Sequence, residues 1–231
     1  IEACGDRPVV IRTMDIGADK IPQRMQHRFD ETQNPMLGLR SIRLSLQSTP
    51  LFKVQLRAIL RAAVMGNVRI MFPLVATLLE FRQAKMILMD VMEDLEDEGI
   101  EFQPNIPIGM MVEVPSAVML AEEFAREVDF FSIGTNDLVQ TVYAVSRDDL
   151  ENCKHPVDAR SPAIKVMIRS AIDSFRAKGL EIGICGQAPS DYPEEMPAFL
   201  VECGITSISV TPDTAIAVRI AVQDAEARRN S

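Results

Sequence analysis

The chain has 231 residues, 47% of them hydrophobic and 25% charged, which supplies a buried core and excludes global disorder. At about 150 residues per domain this is one or two domains, and single α/β barrels run to about 250. Twenty-four Lys and Arg against 33 Asp and Glu leave a net charge of −9, so nucleic acid and anionic membranes are excluded as partners of the bulk field, though not of a local basic pocket. No apolar run reaches the roughly 20 residues of a membrane helix, and IEACGDRPVV lacks the basic-then-apolar pattern of a signal peptide, so the chain reads as soluble and cytoplasmic. Cys4, Cys153, Cys185 and Cys203 are too widely spaced for a disulfide framework or a zinc finger, and His27 and His155 are the whole histidine complement.

Along the chain, short apolar runs alternate with helical patterns. The first strand is expected over residues 9–15 (VVIRTMD), and a short one is conceivable in 36–41 (MLGLRS). Phe52, Leu56, Ile59, Leu60 and Ala63 then fall at helical spacing. Residues 67–74 (NVRIMFPL) form the next strand, followed by a helix carrying Phe81, Ala84, Leu88, Val91 and Leu95; its acidic run EDLEDE (93–98) reads as a solvated face. The strand 107–114 (PIGMMVEV) leads into a helix capped by Ser116, and 130–135 (FFSIGT) into another near Leu138. A helix over 163–178 is closed by Gly179, before the strand 181–186 (EIGICG). Pro193 opens a helix that Gly204 ends, residues 207–211 (SISVT) give the last strand, and Asp213 caps the final helix.

Strands apolar almost throughout and separated by helices imply a parallel sheet buried on both faces, in a barrel or a doubly wound arrangement. No GxGxxG or GxxxxGK[ST] follows a strand, so the phosphate loops of open sheets are missing. Polar residues instead gather at the carboxyl ends of successive strands: Arg12 and Asp15, Glu113, Asn136 and Asp137, then Cys185 and Gln187. In a (β/α)8 TIM barrel those ends share one face and build the active site. The expectation is therefore an α/β TIM barrel occupying residues 1–231, with six strands evident, a possible seventh and no visible eighth.

Glu113 and Asp137, ending consecutive strands, are a candidate Mg²⁺ pair whose remaining positions substrate oxygens and water would fill. The alternative is that Asp137 caps a helix and Glu113 pairs with an arginine. Arg12 sits inside an apolar strand, where a charge is costly unless paired. With Arg40 and Arg147 it offers guanidinium forks suited to a phosphate and carboxylate ligand, or else to salt bridges in an acidic protein. Cys185 is either a small buried residue or a proton donor at a strand end. Asp19 and Lys20 are ligand contacts or solvated loop residues. The thirteen methionines read as core filling.

Six strings in fixed order carry a resemblance: RTMDIGADK (12–20), NPMLGLRSIR (34–43), RIMFPLV (69–75), MVEVPSA (111–117), VDFFSIGTNDLVQ (128–140) and GICGQ (183–187). Together the sequence resembles the phosphoenolpyruvate-binding barrel of the phosphoenolpyruvate-utilising family, which includes enzyme I of the sugar phosphotransferase system, phosphoenolpyruvate synthase and pyruvate phosphate dikinase. The resemblance implies that Glu113 and Asp137 ligate Mg²⁺, that Arg12, Arg40, Arg147 and Asn136 hold the phosphate with Lys20 nearby, and that Cys185 protonates the enolate carbon. It implies a homodimer, a phosphohistidine domain outside this chain and a small phosphocarrier protein as partners. Neither His27 nor His155 has the Gly-rich Thr-Ser-His context of the family's phosphoryl acceptor. The family's first barrel strand, with its Arg-Thr-Glu string, is also unmatched, so the chain is expected to be a fragment beginning at the second strand. RTMDIGADK and QLRAILRAA (55–63) resemble enzyme I, whereas CGQAPSD (185–191) and TPDT (211–214) resemble phosphoenolpyruvate synthase. Enzyme I is the expected group, with the synthase and the dikinase as alternatives. A non-catalytic dimerisation or ligand-sensing barrel and a Mg²⁺-dependent lyase are the expectations of other classes.

Overall fold

The structure, a computed structural model, describes residues 1–16, 37–146 and 158–229, in two compact units, Ile1–Met110 and Met111–Ser231. Lys20, His27, Arg147, Cys153 and His155 lie outside the described residues.

The first unit runs β1 (Val9–Arg12), α1 (Ile42–Gln47), α2 (Thr49–Ala62), β2 (Val68–Phe72) and α3 (Leu78–Asp97), and ends in the start of β3 (Ile108–Val112). β1 pairs with β2 in parallel from Val9↔Val68 to Arg12↔Met71, and β2 with β3 from Ile70↔Ile108 to Phe72↔Met110. Parallel neighbours need a crossover, which α2 and α3 supply. Phe72 of β2 is fully buried between Phe52 of α2 and Phe81 of α3, its ring edge-on to each at 6.1 and 5.9 Å. This aromatic file explains the helical spacing of the sequence: Phe52, Leu56 and Leu60, and Phe81, Leu88 and Leu95, are the faces turned to the strand. The acidic run splits as expected around buried Leu95, with Asp94 pairing with Lys53 and Glu98 with Arg57 of α2.

The second unit takes up the rest of β3, then α4 (Pro115–Met119), α5 (Ala121–Phe124), β4 (Phe130–Gly134), α6 (Thr135–Tyr143), α7 (Pro162–Arg176) and β5 (Glu181–Cys185). It closes with α8 (Ala188–Asp191), α9 (Glu195–Cys203), β6 (Ser207–Ile208) and α10 (Ala215–Arg229). β4 and β5 pair in parallel from Phe130↔Glu181 to Gly134↔Cys185, and β5 pairs with β6 at Gly183↔Ser207 and Ile184↔Ile208. The core here is Phe131 stacked at 3.6 Å on Phe175 of α7, with Ile133, Ile168, Ile172 and Ile184 around it, all 1% exposed or less. Among the described residues, no helix is long and apolar enough to cross a membrane.

All six expected strands are present, and several local expectations are corrected. Residues 37–41 form bends and a turn, not a strand, because Ser41 adopts φ 56° as the residue before α1. Arg12 ends β1 instead of sitting inside it, since the strand stops three residues short of Asp15. Two-sided burial holds for β2 and β4, but β1 and β5 alternate between more and less covered residues. Ser116 is not a cap: Val114 precedes α4, Pro115 opens it, and the expected single helix breaks after Met119 into α4 and α5. α10 begins at Ala215, with the Thr214 carbonyl accepting from Val218 N–H, which leaves Asp213 in the preceding turn. Gly204 ends α9 at φ 86°, as its position predicts.

α3 carries a capping box the sequence reading missed. Thr77 Oγ1 accepts from Glu80 N–H at 3.2 Å, and Glu80 Oε2 accepts from Thr77 N–H at 3.0 Å and Ala76 N–H at 2.8 Å. Arg43 of α1 donates to Glu80 Oε1 at 2.8 Å, tying two helices of the unit together. Burial pushes the Glu80 carboxyl up, but the Arg43 hydrogen bond and the two backbone N–H groups outweigh it and hold it below its ordinary value. A depressed carboxyl stabilises the fold fully above its ordinary pKa, and that stabilisation is lost as pH falls through the depressed value. Glu80→Gln keeps the amide of a capping box and loses the ion pair. It is expected to lower the melting temperature by about 1–3 °C at pH 7, with the gap to wild type closing in acid. Calorimetric melts of both proteins across the acid range check this; a gap independent of pH contradicts it.

Candidate active site at the strand ends

In the first unit the site residues meet at the end of β1. Arg12 Nη1 lies 3.2 Å from Asp15 Oδ2, and Arg40 Nη2 donates to Asp15 Oδ1 at 3.0 Å, so one carboxylate spans two guanidinium groups. Their exposures differ usefully: the Arg40 side chain is 7% exposed and Asp15 9%, whereas Arg12 is 45% exposed. The buried pair fixes the position of the charge, and Arg12 reaches the same carboxylate from the surface. Arg40 reaches Asp15 because Ser41 N–H donates to the Ile16 carbonyl at 3.0 Å, pinning two segments distant in sequence. The price is a non-glycine residue at φ 56°, a geometry that persists only where its surroundings over-determine it.

A cavity of about 470 Å³ opens beside this cluster, lined by Arg12, Thr13, Asp15, Phe52 and Gln55 among others. Gln55 Oε1 accepts from Met14 N–H at 3.0 Å, capping the loop after β1 with a side chain from α2. Gln55 was invisible as a site residue because its helix reads as amphipathic packing and nothing more.

The second unit places Glu113 directly after β3, where it is 1% exposed despite its charge. What admits it is Gly134, the last residue of β4. A Cβ there would stand 2.4 Å from Glu113 Oε2 and 2.8 Å from Glu113 Cβ, so the carboxylate occupies the space a side chain would fill. Asp137 is the third residue of α6 and not its cap; Gly134 takes the cap position. A carboxylate in a first helical turn is favoured by the helix dipole. Asn136 and Asp137 are half-buried beside it.

Cys185 ends β5, half-buried and opposite Gly134 in the strand register. Thr135 Oγ1 donates to the Cys185 carbonyl at 3.3 Å, and Asn136 Oδ1 accepts from Gln187 N–H at 3.2 Å. Of the predicted site residues, then, Arg12 and Arg40 are joined through Asp15 in one unit, while Glu113, Asn136, Asp137 and Cys185 cluster along the β3, β4 and β5 ends of the other. Lys20 and Arg147 lie outside the described residues.

The donors fit a hard divalent cation. Glu113 and Asp137 offer carboxylate oxygens. That donor set suits Mg²⁺, which binds through one or two carboxylates and leaves the rest of its octahedron to water and substrate. A larger cavity of about 830 Å³ sits elsewhere, on the flank of α7 and α9, and takes no residue from a strand end. Its cations Lys165 and Arg160 are already paired with Glu195 and Asp158.

Comparison with known proteins decides the family. A family model described as the PEP-binding domain of PEP-utilising enzymes, PEP being phosphoenolpyruvate, matches residues 1–227. The chain belongs to this family. The expected resemblance is therefore borne out, and the strand-end cluster lies in a PEP-binding domain. The phosphoenolpyruvate-protein phosphotransferase of Geobacillus stearothermophilus is 42% identical over 229 residues, covering 97% of this chain and 39% of the relative. The enzyme of the same name from Latilactobacillus sakei is 43% identical over 219 residues, covering 95% and 37%. The chain thus spans roughly two-fifths of the length of these curated relatives. Among solved structures, a citrate lyase from Burkholderia xenovorans aligns with a TM-score of 0.56 at 20% identity, over 74% of this chain and 53% of that one. A malate synthase from Haloferax volcanii, in a pyruvate/acetyl-CoA ternary complex, aligns at 0.57 and 12%, over 93% and 60%. These two share the α/β fold with the PEP-binding domain.

Gly134→Ala tests the seat of the buried carboxylate. The added methyl must displace Glu113 or spread β3 from β4, so a stability loss of about 1–3 kcal/mol is expected together with weakened Mg²⁺ binding. Melting curves with and without Mg²⁺ check both; a variant that melts and binds like wild type contradicts the seat.

Proposed function

We propose that this chain is the PEP- and Mg²⁺-binding part of a phosphoenolpyruvate-protein phosphotransferase, an enzyme that moves phosphoryl from PEP to a histidine on a separate domain and releases pyruvate. The observation that carries the reading is the 42% identity to such an enzyme over 97% of the chain. The strand-end chemistry supports it, because each residue type needed for the transfer stands at a strand end. In this reading the chain supplies the six-stranded part of a (β/α)8 barrel within a longer cytoplasmic protein, dimeric, and handing phosphoryl onward to a small phosphocarrier protein.

Arg12 and Arg40, with Arg147, Lys20 and Asn136, hold the phosphate of PEP. Asp15 bonds both described arginines and so holds their guanidinium groups in place. Glu113 and Asp137 hold Mg²⁺, which when bound neutralises charge on the phosphoryl and enolate oxygens. As the bond from phosphorus to the enolate oxygen breaks, a bond from phosphorus to the histidine nitrogen forms. Charge develops on the enolate oxygen, within reach of donors that need no reorganisation. Cys185 gives its thiol proton to C3 of the enolate, which becomes the pyruvate methyl group, and the thiolate recovers a proton from water.

Titration calorimetry of this chain with PEP tests the donor site. Binding is expected to require Mg²⁺, and Asp137→Ala is expected to abolish it; affinity unaffected by that substitution removes Asp137 from the metal site. Cys185→Ala is expected to leave the affinity within about threefold, while proton exchange at the pyruvate methyl group falls by about 100-fold or more. The exchange is read by proton NMR in deuterated water. A large loss of affinity instead makes Cys185 part of the packing.

A further inference from the structure

We propose that Thr135 is a positioning residue for the Cys185 thiol, acting through the two peptide planes that follow β5; the proposal rests on the role given to Cys185 above. The parallel ladder between β4 and β5 ends at Gly134↔Cys185. Past that pair β4 turns at once into α6, and β5 runs into Gly186 at φ 99°. Glycine is the residue with least resistance to rotation, so the Cys185 carbonyl and the thiol on the same Cα would be loosely held if the ladder were their last restraint.

Two hydrogen bonds from the neighbouring strand end replace the ladder. Thr135 Oγ1 donates to the Cys185 carbonyl at 3.3 Å, which fixes the peptide plane between residues 185 and 186. Asn136 Oδ1 accepts from Gln187 N–H at 3.2 Å, which fixes the plane between 186 and 187. Both planes hinge on Gly186 Cα, so holding one on each side removes the freedom glycine introduces. The approach is close: a Cβ on Gly186 would stand 2.4 Å from Thr135 Oγ1 and 3.2 Å from both Asn136 Oδ1 and Thr135 N. Thr135 is itself only 1% exposed, so its hydroxyl does not compete with water for that carbonyl. Asn136 has a phosphate-binding role in the reading above as well as bracing the backbone; Thr135 has no such role, and it carries the clean test.

The consequence is mechanistic. Proton transfer to a carbon demands a donor held within a fraction of an ångström of the line of approach, and a misplacement of about 1 Å costs about 100-fold in rate. Removing the Thr135 hydroxyl leaves Glu113, Asp137 and the arginines in place, so PEP and Mg²⁺ affinity should hold while the proton step suffers.

Thr135→Val, Thr135→Ser and Thr135→Ala are compared with wild type in three measurements on this chain. These are PEP binding with Mg²⁺ by calorimetry, exchange of pyruvate methyl protons in deuterated water by NMR, and the alkylation rate of Cys185 by iodoacetamide, resolved by peptide mass. In the exchange the thiolate takes a methyl proton, and the resulting thiol, after trading its proton with solvent, returns a deuteron to the enolate. Thr135→Val is expected to bind within about threefold of wild type and to exchange about 10-fold or more slowly, with a changed alkylation rate. Thr135→Ser, which keeps the hydroxyl, is expected to restore both rates to within about threefold of wild type. A Thr135→Val protein that exchanges and alkylates like wild type overturns the proposal, and so does a folded Thr135→Ser protein as slow as Thr135→Val. If Thr135→Val does not fold, Thr135→Ala, which removes the hydroxyl without a branched side chain, decides: the same selective loss supports the bracket, and wild-type rates overturn it. A wild-type chain that binds no PEP overturns the functional reading instead, and the alkylation rates then decide the bracket by themselves.

Discussion

Glu113 sets the terms for the rest of the site. It follows three residues of β3 that are 3% exposed or less, and it is buried to 1% itself, so a charged carboxylate sits where the sequence has otherwise placed only methionine and valine. Burying that charge costs several kcal/mol unless the surroundings compensate it. The cost dictates the neighbours. β4 must end in a residue with no side chain, because the carboxylate lies where the Gly134 Cβ would be. Immediately beyond, α6 must begin, because its first turn is where a second carboxylate, Asp137, is tolerated beside the helix dipole. One buried acid thus constrains a glycine, a helix start and a second acid within five residues.

The arginine cluster solves the opposite problem in a different way. Arg40 is nearly as buried as Glu113, but Asp15 meets its charge inside the same unit, and the strained backbone at Ser41 holds the pair together. Asp15 also touches the exposed Arg12, so one carboxylate orients two guanidinium groups. The flank of α7 shows the contrast: Arg160 takes Asp158 through two guanidinium nitrogens and lies 3.9 Å from the Tyr192 ring, and that pairing draws the Asp158 carboxyl below its ordinary value.

How much of this the sequence carried depends on the kind of signal. Strand existence was legible because buried parallel strands are continuous apolar runs, and all six lie where those runs are. Their ends were less legible: VVIRTMD reads as seven residues of strand, yet Thr13 N–H gives the ladder its last hydrogen bond, to the Met71 carbonyl, and Met14 N–H turns away to Gln55 while Asp15 goes to the ion pair. MLGLRS has the composition of a strand, but Ser41 and buried Arg40 commit it to the Asp15 contact. Site residue types were legible as polar interruptions at strand ends. Their supports were not, since Gln55 is one polar residue on an amphipathic helix and Thr135 one residue in a strand-to-helix turn.

Gly134 and Gly186 show why supports escape a reading by residue type. Each is chosen for what it lacks, and absence of a side chain has no chemistry to flag. Gly134 makes room for a carboxylate; Gly186 lets Thr135 approach the backbone of the strand bearing Cys185. The two glycines belong to adjacent strands, one the register partner of Cys185 and the other its successor. The seat of Glu113 and the strand end bearing Cys185 therefore meet at a single rung of the sheet. A substitution at that rung acts on both at once, whereas Thr135, one residue beyond it, is the first position where the two can be separated.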